Sequence, residues 1–149
     1  TQIPTFIHIT AATVNDVNAM DVISYETGAY YIFDRGYVDY KRLYEITKLK
    51  AYFVIRAKSN MKFNRMYSKS VDKSTGVLYD QIGKLTGFYT CKDYPEKLRR
   101  VKFYDNVSGR TFIFLTNNIE LPALDIALLY KNRWQVELFF KCIKTTFKD

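Results

Sequence analysis

The sequence is poor in the residues that cross-link chains or bind soft metals, with two cysteines and one histidine among 149 residues. Cys91 and Cys142 lie far apart and lack C-x-x-C spacing, so neither a disulfide framework nor a zinc cage is indicated. Because His8 is the single histidine, histidine metal clusters are excluded and a Ser/His/Asp triad is disfavoured. A metal site in this chain would therefore need oxygen ligands.

Long apolar runs are also missing. No run reaches the roughly 18–20 residues of a membrane span, and the first residues, TQIPTFIHIT, lack the basic-then-apolar order of a signal peptide. We therefore expect a cytoplasmic protein with no membrane partner. What the chain does contain is 48% hydrophobic and 17% aromatic residues, which favours a folded domain with a sizeable core.

The charge is unevenly distributed. The net charge is +8, and residues 56–110 hold 13 Lys/Arg against 5 Asp/Glu, whereas the remainder holds 10 of each. The whole excess therefore lies in the middle of the chain, which predicts that this segment binds a polyanion. Arg99, Arg100 and Lys102 are the candidate contacts within it.

The first part of the chain alternates between strand and helix patterns. The stretches PTFIHITAA, AYYIF and AYFVIRA are typical of strands, and TVNDVNAMDVISYE and VDYKRLYEITKLK of helices. This order predicts an α/β fold with a largely buried sheet.

From about Lys58 to Asn118 the alternation stops. Three stretches are typical of strands, GVLYDQIGKLTGFYT, LRRVKFYD and RTFIFLTNN, and DNVSG is typical of a hairpin tip. The helical period returns at ELPALDIALLYKNRW, with Pro122 near the start, and is expected to continue to about Phe147. We therefore predict a core over 1–57, a basic β-rich insertion over 58–120, and a C-terminal helix over 121–149.

The stretch LYKNRWQVELFFKCIK carries a polar stripe. On a helix its ionic residues and one phenol share a narrow side, next to an apolar side. The stripe comprises Tyr130, Arg133, Glu137, Lys141 and Lys144. One interpretation is a solvated face with i,i+4 ion pairs that stabilise the helix by about 0.2–0.5 kcal/mol each. The other is a metal-binding carboxylate held beside a phosphate backbone.

Asp34 is the second candidate carboxylate. It follows the strand AYYIF, and the carboxyl ends of inner strands are where α/β folds place ligand sites. Its alternative is a turn residue before Gly36. Together, Asp34 and Glu137 would suit a two-metal phosphoryl-transfer site, in which oxygen ligands hold both ions.

Two segments, YYIFDRGYVDY and YKNRWQVELFFKCIK, together resemble the DDE transposases of the IS4 family. The second resembles the Y-(2)-R-(3)-E-(6)-K signature through Tyr130, Arg133, Glu137 and Lys144. The first resembles the segment around the second catalytic aspartate, which is Asp34 here. The segment IPTFIHITAATVND is similar to the family too, so the resemblance spans essentially the whole chain.

The resemblance implies a ribonuclease-H-like core with a β insertion, and Mg²⁺-dependent cleavage and strand transfer at transposon ends. Mn²⁺ is also expected to bind, by the usual affinity order of divalent ions for oxygen and nitrogen ligands. The resemblance also implies that Asp34 and Glu137 bind the metal and that Tyr130, Arg133 and Lys144 hold the DNA backbone. Lys141 and Trp134 are further candidate DNA contacts, although Trp134 also suits a half-buried structural role. The implied partners are transposon-end and target DNA, and the intact protein would suit a homodimer.

The sequence departs from the family pattern at one point. No residue of this sequence matches the first catalytic aspartate, which lies on an earlier strand of the family fold. Asp16 and Asp21 are poor substitutes because they fall in a predicted helix. We therefore expect a fragment of the catalytic domain that is inactive alone. Two alternatives stay open, a non-catalytic nucleic-acid-binding module and another ribonuclease-H-like nuclease.

Overall fold

The computed structural model describes residues 25–33, 39–58 and 60–131, together with the backbone of a short strand at 7–9. Seven strands and three α-helices lie in these ranges. The strands are β1 Ile7–Ile9, β2 Tyr30–Phe33, β3 Tyr52–Arg56, β4 Phe63–Ser68, β5 Val77–Leu85, β6 Leu98–Asp105 and β7 Arg110–Thr116. The helices are α1 Tyr40–Lys48, α2 Phe88–Asp93 and α3 Ala123–Lys131, with a 3-10 turn at Lys73–Thr75.

All seven strands form one sheet in the order β1-β2-β3-β7-β6-β5-β4. The first three strands are parallel. Strand β7 joins β3 in antiparallel register, with Arg56 opposite Phe114, and β7, β6, β5 and β4 continue antiparallel. The predicted fold class is confirmed, since this is a ribonuclease-H-like α/β arrangement with a β-rich segment before α3.

The sheet is covered on both sides. One face packs against α1 and against Tyr94, the residue that follows α2, around Phe33, Phe53 and Leu115. The other face packs against α3 around Val54, Val101 and Phe114. Helix α1 forms because Leu43 and Ile46 recur at helical spacing and Asp39 caps its first turn by accepting from the amides of residues 41 and 42.

The strand and helix predictions can be compared with these bounds. Strands β2 and β3, helix α1 and the hairpin turn between β6 and β7 lie where the sequence predicted them. The prediction of a strand through GFYT was wrong, because Phe88–Asp93 is helical. The prediction of a helix over 13–26 falls almost entirely outside the described residues, as does the continuation of α3 towards Phe147.

The division into 1–57, 58–120 and 121–149 stays a prediction. The structure adds that β4 to β7 extend the same sheet as β1 to β3, so the β-rich segment is joined to the first part edge to edge. No helix among the described residues is long and apolar enough to cross a membrane.

Candidate active site and nucleic-acid interface

Strand β2 leads directly to the first predicted catalytic carboxylate. It is an inner strand, flanked by the parallel strands β1 and β3, and its residues are buried. Asp34 follows Phe33 in the sequence and lies outside the described residues. The strand that precedes Asp34 in the sequence is therefore an inner, parallel strand, which is what the prediction of a ligand site at its carboxyl end required.

Helix α3 precedes the second predicted catalytic carboxylate, Glu137, in the sequence. The loop before it is fixed by Asn118, whose Oδ1 accepts hydrogen bonds from the amides of Glu120 (2.9 Å) and Leu121 (2.8 Å). The amide of Asp125 donates to the carbonyl of Pro122 at 2.9 Å, which starts the helix. The helix is described to Lys131, so the predicted site residues Arg133, Trp134, Glu137, Lys141 and Lys144 lie beyond the described part.

Tyr130 is the one member of the stripe that the structure describes. Its side chain is 4% exposed and packs on the sheet, with its ring centroid 4.9 Å from that of Phe114 and 6.0 Å from that of Phe112. This packing holds α3 against the sheet just before the segment that contains Glu137 in the sequence. The predicted contact of Tyr130 with DNA stays a prediction.

A buried tyrosine links β2 to the start of α3. Asn118 Nδ2 donates to the Tyr30 hydroxyl oxygen at 2.6 Å, and the Tyr30 ring stacks on Tyr52 at 4.7 Å. Burial, with the neighbouring Tyr52 phenol, raises the pKa of Tyr30 to about 12, so the hydroxyl stays protonated at neutral pH. The two segments that lead to Asp34 and Glu137 are thus tied together by a neutral hydrogen bond.

Arg99 does not have the position that the charge count suggested. It is 1% exposed and forms a two-pronged ion pair with Asp80, through Nε to Oδ1 and Nη2 to Oδ2, both at 2.8 Å. Its Nη1 also donates to the carbonyls of Asn118 (3.2 Å) and Leu121 (2.6 Å). This environment argues against a DNA contact and gives Arg99 a structural role instead, because it fixes the loop from which α3 begins.

Arg100 and Lys102 lie on the opposite face of the sheet from Tyr130. Arg100 stacks over Phe63 at 4.4 Å and over Tyr79 at 5.3 Å, and it donates to Gln81 Oε1 from Nε and Nη2. Lys102 lies 5.8 Å from the Tyr79 ring centre. Both are partly exposed, so they stay candidate DNA contacts, but they do not form one patch with Tyr130.

A basic cleft beside Tyr130 was missed by the sequence reasoning. It has a volume of about 250 Å³ and is lined by Arg56, Asp105, Ser108, Arg110, Phe112, Tyr130 and Lys131. These residues come from the end of β3, the β6–β7 hairpin and the end of the described part of α3. No sequence signal joins them, since only the pairing of β3 with β7 brings Arg56 close to Arg110.

The described carboxylates do not form a metal site of their own. Within residues 25–33, 39–58 and 60–131, no three Asp, Glu, His or Cys residues are grouped so that they could hold an ion. Asp125, in the first turn of α3, is 2% exposed, and burial raises its pKa. The predicted metal ligands Asp34 and Glu137, whose carboxylate oxygens are of the kind that Mg²⁺ accepts, lie outside the described residues and stay a prediction.

Comparison with known proteins agrees with this arrangement. Residues 1–148 match the family model described as "Transposase DDE domain". The chain is 38% identical over 148 residues to a protein of Sinorhizobium fredii (strain NBRC 101917 / NGR234) named "Putative transposase y4zB", covering 97% of this chain and 41% of the relative.

A second relative comes from Geobacillus stearothermophilus and is named "Probable transposase for insertion sequence element IS5377". It is 32% identical over 115 residues, which is 74% of this chain and 29% of the relative. The chain thus spans less than half the length of either relative. Because the family model covers almost every residue, this chain belongs to the transposase DDE domain family.

Proposed function

We propose that this chain is part of a DDE transposase that cleaves DNA at transposon ends and transfers the freed 3′-hydroxyl into target DNA. The match to the DDE domain over residues 1–148 carries the proposal. Two placements support the proposal. Asp34 follows an inner parallel strand in the sequence, and Glu137 lies six residues beyond the described end of α3 in the sequence. The assignment to the IS4 branch is part of the proposal.

In this proposal Asp34 and Glu137 hold divalent ions, Mg²⁺ or Mn²⁺. When bound, such ions activate the attacking water or hydroxyl and stabilise the leaving oxygen. Arg133 and Lys144 contact the DNA backbone near the cleaved phosphate. Further contacts with the DNA are made by Tyr130, Lys141 and Trp134. Tyr130 also anchors the helix, because its ring is packed between α3 and the sheet.

The proposed partners are transposon-end DNA and target DNA, and the intact protein is proposed to act as a homodimer. The positive charge of residues 56–110 supports DNA binding, because neutralising phosphates releases counterions. We propose a DNA-associated protein of the prokaryotic cytoplasm.

The test is a Mn²⁺ titration of the 149-residue chain, read by calorimetry. Substitutions Asp34→Ala and Glu137→Ala should each weaken binding at least tenfold, whereas Glu120→Ala, which removes an exposed carboxylate before α3, should not. Equal affinities in all four proteins would contradict the proposed metal ligands. This readout does not require catalytic turnover.

Cleavage is measured separately, with supercoiled plasmid and transposon-end oligonucleotides in Mg²⁺ or Mn²⁺. The chain alone is expected to be inactive, because Asp34 and Glu137 match two of the family's three catalytic carboxylates and no residue matches the first. Ligands that act as a unit do not contribute additively, so two of three are not expected to give partial activity. Cleavage that disappears in Glu137→Ala would show that another residue completes the site, with Asp16 and Asp21 the first to test.

A non-catalytic nucleic-acid-binding module is the second candidate. The observation that favours it is that the basic excess of residues 56–110 lies among the described residues and is separate in the sequence from both Asp34 and Glu137. DNA binding without measurable Mn²⁺ binding would support this alternative. Metal-dependent cleavage without preference for transposon ends would instead indicate another ribonuclease-H-like nuclease.

A further inference from the structure

The cleft beside Tyr130 contains an unusual pair of cations. The guanidinium carbon of Arg56 lies 4.8 Å from the centre of the Phe112 ring, and that of Arg110 lies 5.3 Å from it. Stacking on a ring engages the face of a guanidinium and leaves its N–H edge available. Neither guanidinium forms an ion pair among the residues that the structure describes.

The third cation is already partly neutralised. Lys131 Nζ lies 3.1 Å from Asp105 Oδ1 and 5.7 Å from the Phe103 ring centre. Hydrogen bonds from Lys131 and Ser108 lower the pKa of Asp105, so its carboxylate is charged at neutral pH. Among the described residues the cleft therefore holds three cations and one carboxylate, and Arg56 and Arg110 are the two cations that form no ion pair there.

This geometry favours one kind of ligand. A nucleic-acid base would stack on an open aromatic face, but Phe112 is 8% exposed and already covered by cations. What the cleft offers is planar N–H donors held in position, which match the oxygen atoms of a phosphate. Arg110 is exposed at the β6–β7 hairpin, so an extended polyanion can reach it from solvent.

We propose that Arg56 and Arg110, supported by Phe112, each bind a phosphate of the DNA backbone at this cleft. The inference rests on the proposed function, because it places DNA along the face of the sheet that carries α3, next to the segment leading to Glu137. Lys131 and Asp105 then serve as a fixed rim that positions the hairpin, and Ser108 is held by Asp105.

The experiment measures binding of a DNA duplex by fluorescence anisotropy at several salt concentrations. Arg110→Ala and Arg56→Ala should each weaken DNA binding several-fold. Each should also reduce the magnitude of the negative slope of log K against log salt by about 1, the loss expected for one phosphate contact. Arg110→Lys should retain most of the slope, since it keeps the charge. Lys97→Ala removes one exposed charge before β6, at the other end of that strand from Asp105, and should change neither quantity appreciably.

Circular dichroism and the unfolding midpoint, measured for each variant, check that it is folded. Arg110→Ala is expected to disturb the fold less than Arg56→Ala because the Arg110 side chain is exposed. If Arg110→Ala behaves like Lys97→Ala while the parent chain binds DNA, the cleft is not a phosphate site although the proposed function survives. If the parent chain does not bind DNA, both fail.

Discussion

At the scale of single residues, two neighbouring arginines have different tasks. Arg99 points to the α3 side, in phase with Val101 and Phe103, and is buried, whereas Arg100 points to the other side and is partly exposed. The period-2 alternation of LRRVKFYD contains this distinction, so the sequence could have separated the two. It could not have identified Asp80, because that partner is set by the register of β5 against β6, which places Asp80 opposite Val101.

The buried pair leads to a stability prediction. Arg99→Ala should lower the free energy of unfolding by about 3–5 kcal/mol, because it leaves the Asp80 carboxylate buried without its cation. It also removes the donors to the loop before α3. Urea-induced unfolding measures the loss, and Arg100→Ala, which removes a partly exposed guanidinium from the adjacent position, is the matched control.

The double variant Arg99→Met/Asp80→Leu separates charge burial from packing. It should regain much of the stability, since apolar side chains of similar size can replace a buried ion pair. A loss below about 1 kcal/mol in Arg99→Ala would show that the pair contributes little.

At the scale of elements, the sequence predicted best where burial imposes a clear period. Strands β2 and β3 are almost continuous apolar runs, and α1 has its apolar residues at helical spacing. Strand β4, FNRMYS, was not predicted because five of its six residues are exposed, and its pairing with β5 alone defines it. The short helix α2 was missed because its six residues contain no buried side chain, so no helical pattern is visible.

The contact between β4 and β5 depends on a glycine. A Cβ at Gly83 would lie 2.2 Å from the Asn64 carbonyl oxygen and 2.7 Å from Phe63 Cε1. Since the nearest atom belongs to the backbone, it can be accommodated only if β4 moves away. Gly83→Ala should therefore cost about 1–3 kcal/mol and speed amide hydrogen exchange in β4.

Gly109→Asn is the control for this glycine. Gly109 has open space around it and a φ of +73°, a conformation that asparagine tolerates, so exchange in β4 should not change. Unchanged exchange in Gly83→Ala would contradict the close approach of the two strands.

At the scale of the whole molecule, the sequence predicted the amount of charge and its segment but not the face on which it lies. The excess within 56–110 divides between two sides of one sheet. Arg56 and Arg110 share the side of α3, while Arg100 and Lys102 share the side of α1 and α2. This division depends on the antiparallel join of β3 to β7, which lies between segments more than 50 residues apart, and a single sequence carries no signal for it.

The two sides can be compared directly with charge-matched variants. Arg56→Ala/Arg110→Ala and Arg100→Ala/Lys102→Ala each remove two cations and lower the net charge from +8 to +6. If the long-range field alone controlled DNA binding, the two pairs would behave alike. We expect instead that the first pair lowers the salt slope by about 2 and the second by less than 1, because contacts release counterions and distant charges do so weakly.

The physical reason for this order lies in how the four side chains are held. Arg100 already donates twice to Gln81 and is stacked on Phe63, so fewer of its donors remain for a phosphate. Arg56 and Arg110 are held by Phe112 without an acidic partner among the described residues. The reverse order of slopes would place the DNA on the α1 and α2 side. It would also separate DNA binding from the face that carries Tyr130, and so contradict a shared surface for binding and catalysis.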